Sequence, residues 1–354
     1  MDADPTQVRA GVENLVRHCL SAEPGESILL LNEHGGVDAG LVSLMEEVIA
    51  SVGAKAYSLW IDPLARGSKE LPPVLGAAVL ATDKLVMNAN VNRVVLLEHL
   101  KAHDQATHVR INNRMRQPER MASEHARFDW RLVMALAGRV EEVTSQARSY
   151  RITTPAGTDL SGRVVGPTEV TDSFFAQDAE LSRTERVFPG EVYAPVGSGE
   201  AQGTIAFDHP GLASKEPFPS PLLLNIKDNM LTGFDWKGAA PTNVKDGDTQ
   251  TVWSKEQLEG LLAANVAKVG NEKAFIVDSW HGGMHPRAEK RPGQLSEPKT
   301  MHVHIGRLAN TLSAYLSDQT VVLDGERTMF ENGTLCLLKE PDFQAMATEY
   351  GVNL

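Results

Sequence analysis

The feature that most constrains the fold is a repeating exchange of hydrophobic period over about the first 145 residues. Ser27-Ile28-Leu29-Leu30-Leu31 carries an unbroken apolar run, the pattern of a strand buried on both faces of a parallel sheet. A Gly-Gly turn follows at Gly35-Gly36. Leu41, Leu44, Met45, Val48 and Ile49 then recur at helical spacing up to Gly53, a C-cap candidate. Ala54 to Trp60, Leu85-Val86-Met87 and His108-Val109-Arg110-Ile111 read as further strands, and Val95 to Lys101 as a helix between the last two. Strands alternating with helices predict an α/β domain over residues 1–148 with an open, mostly parallel sheet.

Around Ser149 the pattern changes. Arg151 to Leu160 reads as two strand arms around Pro155-Ala156-Gly157, and short alternating runs dominate from there: Gly203 to Asp208, Leu222 to Ile226 and Met301 to Ile305. One helix is expected at Lys255 to Val269. Residues 149–354 therefore predict an α+β domain with a mainly antiparallel sheet. The chain of 354 residues is long enough for two such cores.

The formal net charge of -12 repels phosphate backbones, so nucleic acid is not expected as a partner. Cys19 and Cys336 match no CxxC spacing, which argues against a disulfide framework or a thiolate zinc site. Met1-Asp2-Ala3-Asp4-Pro5 has no basic or apolar leader character, and no apolar run approaches the roughly 18 residues of a membrane span. A soluble cytoplasmic protein with a small-molecule substrate is the expectation. A nucleotide fold is excluded in the first domain: Asn32-Glu33-His34-Gly35-Gly36 lacks the GxGxxG spacing and places a carboxylate where phosphate would sit.

Histidines are more informative. His281, His285, His302 and His304 fall within one short stretch of the chain. His302 and His304 are two apart in an expected strand, so both rings project from one face, as two ligands of one ion would. A paired surface patch on an amphipathic strand is the competing explanation. Trp280-His281-Gly282-Gly283-Met284-His285-Pro286-Arg287 reads as a loop at a strand end. The Gly-Gly pair argues against a helix that would bring both rings together, so His281 is taken as the metal ligand and His285 as a substrate contact; Asp278 is a further candidate to complete the shell. Arg287 has the fork geometry to hold a substrate carboxylate. Glu191, bracketed by Pro189-Gly190 and Ala194-Pro195, is a ligand or general-base candidate on a stiff turn.

Pro189-Gly190-Glu191-Val192-Tyr193-Ala194-Pro195 followed by Gly203-Thr204, with Gly157-Thr158-Asp159-Leu160 upstream and His302-Val303-His304-Ile305 downstream, resembles the aminopeptidase T/S-type metallopeptidases. The resemblance implies an α/β domain followed by a metal-bearing catalytic domain, with Glu191 and His302 at metal-binding positions. It also implies a homo-oligomer. The departures are specific. His304 stands where that family usually has aspartate, and Ser279 occupies the place of a bridging glutamate. These losses point away from two metals and towards one ion in a histidine-rich shell. Two divergent relatives of the fold are similar in that respect, the 2,5-dihydroxypyridine dioxygenases and 5-nitroanthranilic acid aminohydrolase, and Pro286-Arg287-Ala288 resembles the dioxygenase pattern.

The expected activity is a metal-dependent aminohydrolase. It would remove an amino group from a small carboxylated aromatic amine with metal-activated water, the ion being Mn2+, or else Fe2+, Zn2+ or Co2+. A non-haem Fe(II) ring-cleaving dioxygenase and a metallo-aminopeptidase are the alternatives. The expected metal set is Glu191, His281, His302 and His304. Glu191 and His285 are the catalytic candidates, and Arg287 binds substrate.

Overall fold

The computed structural model describes residues 3–65, 68–105, 107–166, 185–190, 193, 195–207, 220–236, 244–246, 249–251, 259–260, 262–264, 266–267, 270–288, 298–306 and 312–354. The chain divides into two compact units, Met1–Met134 with Ala179–Gly190, and Ala135–Asp178 with Glu191–Leu354. The sequence reading places a single boundary at 148/149, whereas the chain path returns once to the first unit before entering the second for good.

In the first unit, β1 (Ser27–Glu33), β2 (Lys55–Ile61), β3 (Lys84–Asn88) and β4 (Val109–Asn113) form a parallel sheet in the order β2-β1-β3-β4. α1 (Pro5–Glu13), α2 (Ala39–Ser51), α3 (Pro73–Leu80) and α4 (Arg93–Lys101) belong to the same unit. The apolar run of β1 is buried because both its faces are covered. Ile28 and Leu30 pack with Val42 and Met45 of α2, while Leu29 and Leu31 pack with Leu75, Val79 and Leu96 of α3 and α4. α2 begins where Asp38 accepts the Leu41 N–H at 2.8 Å and ends at Gly53, whose φ of +82° a side chain rarely adopts.

The second unit is built on an antiparallel sheet. β5 (Ser149–Thr153) and β6 (Asp159–Val165) are the expected hairpin. β7 (Glu185–Phe188) is instead a parallel edge strand on β4 of the first unit. β8 (Val196–Phe207) is the long central strand, flanked by β6, by β9 (Leu222–Lys227) and by a later strand described below. β10 (Met230–Trp236) pairs with β9, and β11 (Val244–Asp246) with β12 (Thr249–Thr251) in a separate ribbon. β13 (Val277–Gly282), β14 (Thr300–Ile305) and β15 (Leu312–Ser317) extend the sheet on one side of β8. β16 (Thr320–Leu323), β17 (Arg327–Glu331) and β18 (Thr334–Leu335) extend it beyond β5. The helix expected over Lys255–Val269 lies largely outside the described residues. Among those described, no helix is long and apolar enough to cross a membrane.

The two Gly-Thr motifs meet in this sheet, and their role is structural. Asp159 is paired with Thr204, and Leu160 with Gly203. Thr158 Oγ1 accepts the Ala206 N–H at 2.9 Å, tying the turn before β6 to β8. Gly203 has φ +125°, and a Cβ there would stand 2.0 Å from the Asp159 carbonyl oxygen. Only glycine permits that approach. Gly203→Ala combines backbone strain with a steric clash and is expected to destabilise the protein by about 3 kcal/mol, read as a lower urea midpoint at unchanged slope.

Candidate metal centre

β14 is buried along its whole length, on both faces. Period-two alternation sends Met301, Val303 and Ile305 to one face and His302 and His304 to the other. The antiparallel partner β13 runs alongside in a register that sets His281 opposite His302 and Ser279 opposite His304. Directly opposed residues share a face, so three imidazoles and one hydroxyl converge. His281 therefore stands in a strand and not in the loop expected from its glycines. Gly282 closes that strand because any side chain there would meet Met301 and the Thr300 carbonyl, both within 2.8 Å of a Cβ.

The rings are close. Centroids are 4.2 Å apart for His281 and His302, 4.3 Å for His302 and His304, and 5.0 Å for His281 and His304. One nitrogen from each ring lies within 4.8 Å of the others. Ligand nitrogens on one tetrahedral ion at ~2.0–2.1 Å sit roughly 3.3 Å from one another, so modest ring rotations bring all three onto one cation. His302 and His304 are 8% and 7% exposed, and His281 is partly exposed.

The outer contacts decide which nitrogen faces inward. His281 Nδ1 lies 3.2 Å from the Tyr193 carbonyl, which can only accept, so Nδ1 carries the proton and Nε2 is the bare nitrogen. His304 Nδ1 hydrogen-bonds the buried Ser279 Oγ at 3.1 Å. Neither nitrogen of His302 has a hydrogen-bond partner among the described residues, although both are buried. Besides the other two imidazoles, its ring meets the edge of Tyr315, with centroids 5.0 Å apart.

Burial also fixes the charge. Desolvation lowers the His281 pKa to about 4. It lowers those of His302 and His304 well below the usual histidine value, and the neighbouring rings push the same way. Three neutral imidazoles with inward lone pairs fit a divalent transition metal and would not tolerate a proton among them. The bare nitrogen of His302, buried and without a hydrogen-bond partner among the described residues, is what such an ion would satisfy.

The other expected residues are placed differently. Glu191 lies outside the described residues. His285 is fully buried, its Nδ1 accepts the Arg287 N–H at 3.2 Å, and it is not among the three converging rings. Asp278 is buried in β13 and likewise outside that group. Arg287 is exposed, with Nη2 donating to the Asn353 carbonyl at 2.7 Å. The sequence reading missed the Tyr193 carbonyl and the Ser279 hydroxyl. The first is a backbone atom with no sequence signature. The second stands in the sequence as the replacement of a bridging glutamate, and period-two spacing from His281 is the signal that puts it on the same face.

No protein-family model matches this chain, and no curated protein matches it. Its fold is similar to that of a 2,5-dihydroxypyridine dioxygenase from Pseudomonas putida, with a TM-score of 0.59 and 14% identity over 94% of this chain and 97% of that one. A looser likeness is to AmpT from Thermus thermophilus, with a TM-score of 0.49 and 12% identity over 93% and 99% of the two chains. At such identities the likeness is one of fold.

Two outcomes are expected. Wild-type protein dialysed against a divalent transition metal retains one ion per chain by elemental analysis, and His302→Ala retains none. In the metal-free protein, the three histidines stay neutral where unfolded histidines, with pKa near 6.5, take up protons. Their contribution is therefore fully present above pH 6.5 and is lost as pH falls towards about 4, the His281 value. Urea midpoints across that window should fall steeply for wild type and less steeply for His302→Ala.

Proposed function

We propose that this chain is a metal-dependent aminohydrolase, acting on a small carboxylated aromatic amine of the 5-nitroanthranilate type. The observation that carries the reading is the convergence of three neutral imidazoles, two buried and one half-buried, with both nitrogens of His302 lacking a hydrogen-bond partner among the described residues. His281, His302 and His304 would hold one divalent cation, with Mn2+ as the first candidate and Fe2+, Zn2+ or Co2+ as substitutes. A three-histidine set leaves coordination positions open, and an ion bound there would bring the pKa of a coordinated water towards 7 and polarise the substrate.

The net reaction adds the elements of water across the carbon–nitrogen bond: oxygen joins the ring carbon, the amine leaves as ammonia, and no electrons are exchanged. The chain's own groups divide the remaining work. Burial keeps the three rings unprotonated, so the shell neither repels a cation nor competes for the proton released from water. Glu191, two residues before the Tyr193 whose carbonyl orients His281, is proposed either as a further ligand or as the group that moves that proton. Arg287 has guanidinium donors beyond the one on Asn353 and is proposed to anchor the substrate carboxylate.

A second reading is favoured by the fold likeness to a dioxygenase: ring cleavage with Fe(II) and O2 at the same three histidines. The two separate cleanly. Under strict anaerobiosis, Mn2+-loaded protein should release one ammonia per 5-nitroanthranilate consumed; oxygen uptake with ferrous protein and no anaerobic turnover would establish the second reading instead. His304→Ala should lower kcat/KM by on the order of 10³-fold. Arg287→Ala should raise KM for carboxylated substrates with little change in kcat, and an unaltered KM removes Arg287 from the site.

A further inference from the structure

We infer that Ser279 is a positioning residue for the metal centre, holding His304 in the tautomer and orientation that turn its Nε2 inward. The inference rests on the proposed metal reading of the triad. Ser279 is fully buried and stands directly opposite His304 in the β13–β14 register. Its other cross-strand partner is Gly197, which brings no side chain. The hydroxyl lies 3.1 Å from His304 Nδ1. A neutral imidazole offers one N–H and one bare nitrogen, and whatever accepts the N–H decides which nitrogen can ligate. When Ser279 Oγ accepts from His304 Nδ1–H, Nε2 is left as the bare nitrogen.

The three ligands are thus held in three ways. A carbonyl fixes His281, and its role cannot reverse. His302 has no orienting partner among the described residues and is steered by packing against Tyr315. His304 is met by a hydroxyl, a hydrogen-bonding group that a side-chain substitution can delete. Without it, Nδ1 loses the Ser279 hydrogen bond and the ring can take the opposite tautomer, with a proton where the ion would bind. Outer-sphere partners of this kind typically govern about 10–100-fold in metal affinity.

The test uses the full chain, stripped of metal by chelation and titrated with Co2+, whose visible absorption reports ligand geometry. Affinity is measured by competition with a chromogenic chelator. Ser279→Ala should weaken Co2+ binding about 10–100-fold and alter the cobalt spectrum, while Ser279→Thr, which keeps the hydroxyl, should retain near wild-type affinity. Ser279→Val has the shape of threonine without the hydroxyl and should resemble Ser279→Ala; the threonine–valine pair carries the comparison should the alanine variant not fold. Wild-type affinity and spectrum in the alanine or valine variant, or equal losses in the threonine variant and in the alanine or valine variant, would overturn the positioning role alone. Wild-type protein that takes up no cobalt would overturn the metal centre, and this inference with it.

Discussion

The site depends on one alignment, the antiparallel register between β13 and β14. Side chains alternate across a strand, so a shift of one residue would turn His281 away from His302 and replace Ser279 with a neighbour from the opposite face. The register is held from both flanks. β15 pairs with β14 along its whole length, placing Tyr315 opposite His302 and Ser313 opposite His304. On the other side, β13 is held by β8 through Ser279–Gly197 and Trp280–Val196. β8 itself is anchored to β6 at the glycine approach of Gly203. The histidine triad is therefore one row of side chains in a sheet whose other contacts have settled its phase.

Burial then gives the row its chemistry. Three imidazoles in an apolar setting cannot carry charge without a large desolvation penalty, so they remain neutral at ordinary pH. Trp280, on the reverse face of β13, belongs to an aromatic group with Tyr193, Tyr150 and Phe330. Tyr193 serves twice. Its ring packs in that group, and its backbone carbonyl orients His281. The Tyr193 ring also meets the His281 ring edge-on, with centroids 6.4 Å apart.

Much of the fold was legible because burial on both faces leaves a plain mark. The apolar run of β1 and the helical spacing of α2 with its Gly53 stop are read correctly from the residues alone. So are the β5–β6 hairpin, β9 and the central strand of the triad. β7 was not legible. Its four residues, Glu185-Arg186-Val187-Phe188, follow no period and join a sheet formed by residues far earlier in the chain. His281 was misplaced into a loop because glycine content usually signals a turn. Here Gly282 ends a strand paired with β14, and glycine stands there because Met301 and the Thr300 carbonyl approach too closely for any side chain.

By itself, the sequence determined the alternation that puts His302 and His304 on one face, since the period of a strand is a local property of the backbone. It also determined that Ser279 could not serve as a bridging carboxylate. Only the tertiary structure decided which distant residue joins the pair: long-range strand pairing brings β13 beside β14, and nothing local in Trp280-His281-Gly282 fixes its phase against Met301-His302-Val303. Ring orientation was likewise decided by tertiary contacts, because hydrogen bonds of about 3 Å to a carbonyl and a hydroxyl depend on chain segments that meet only after folding.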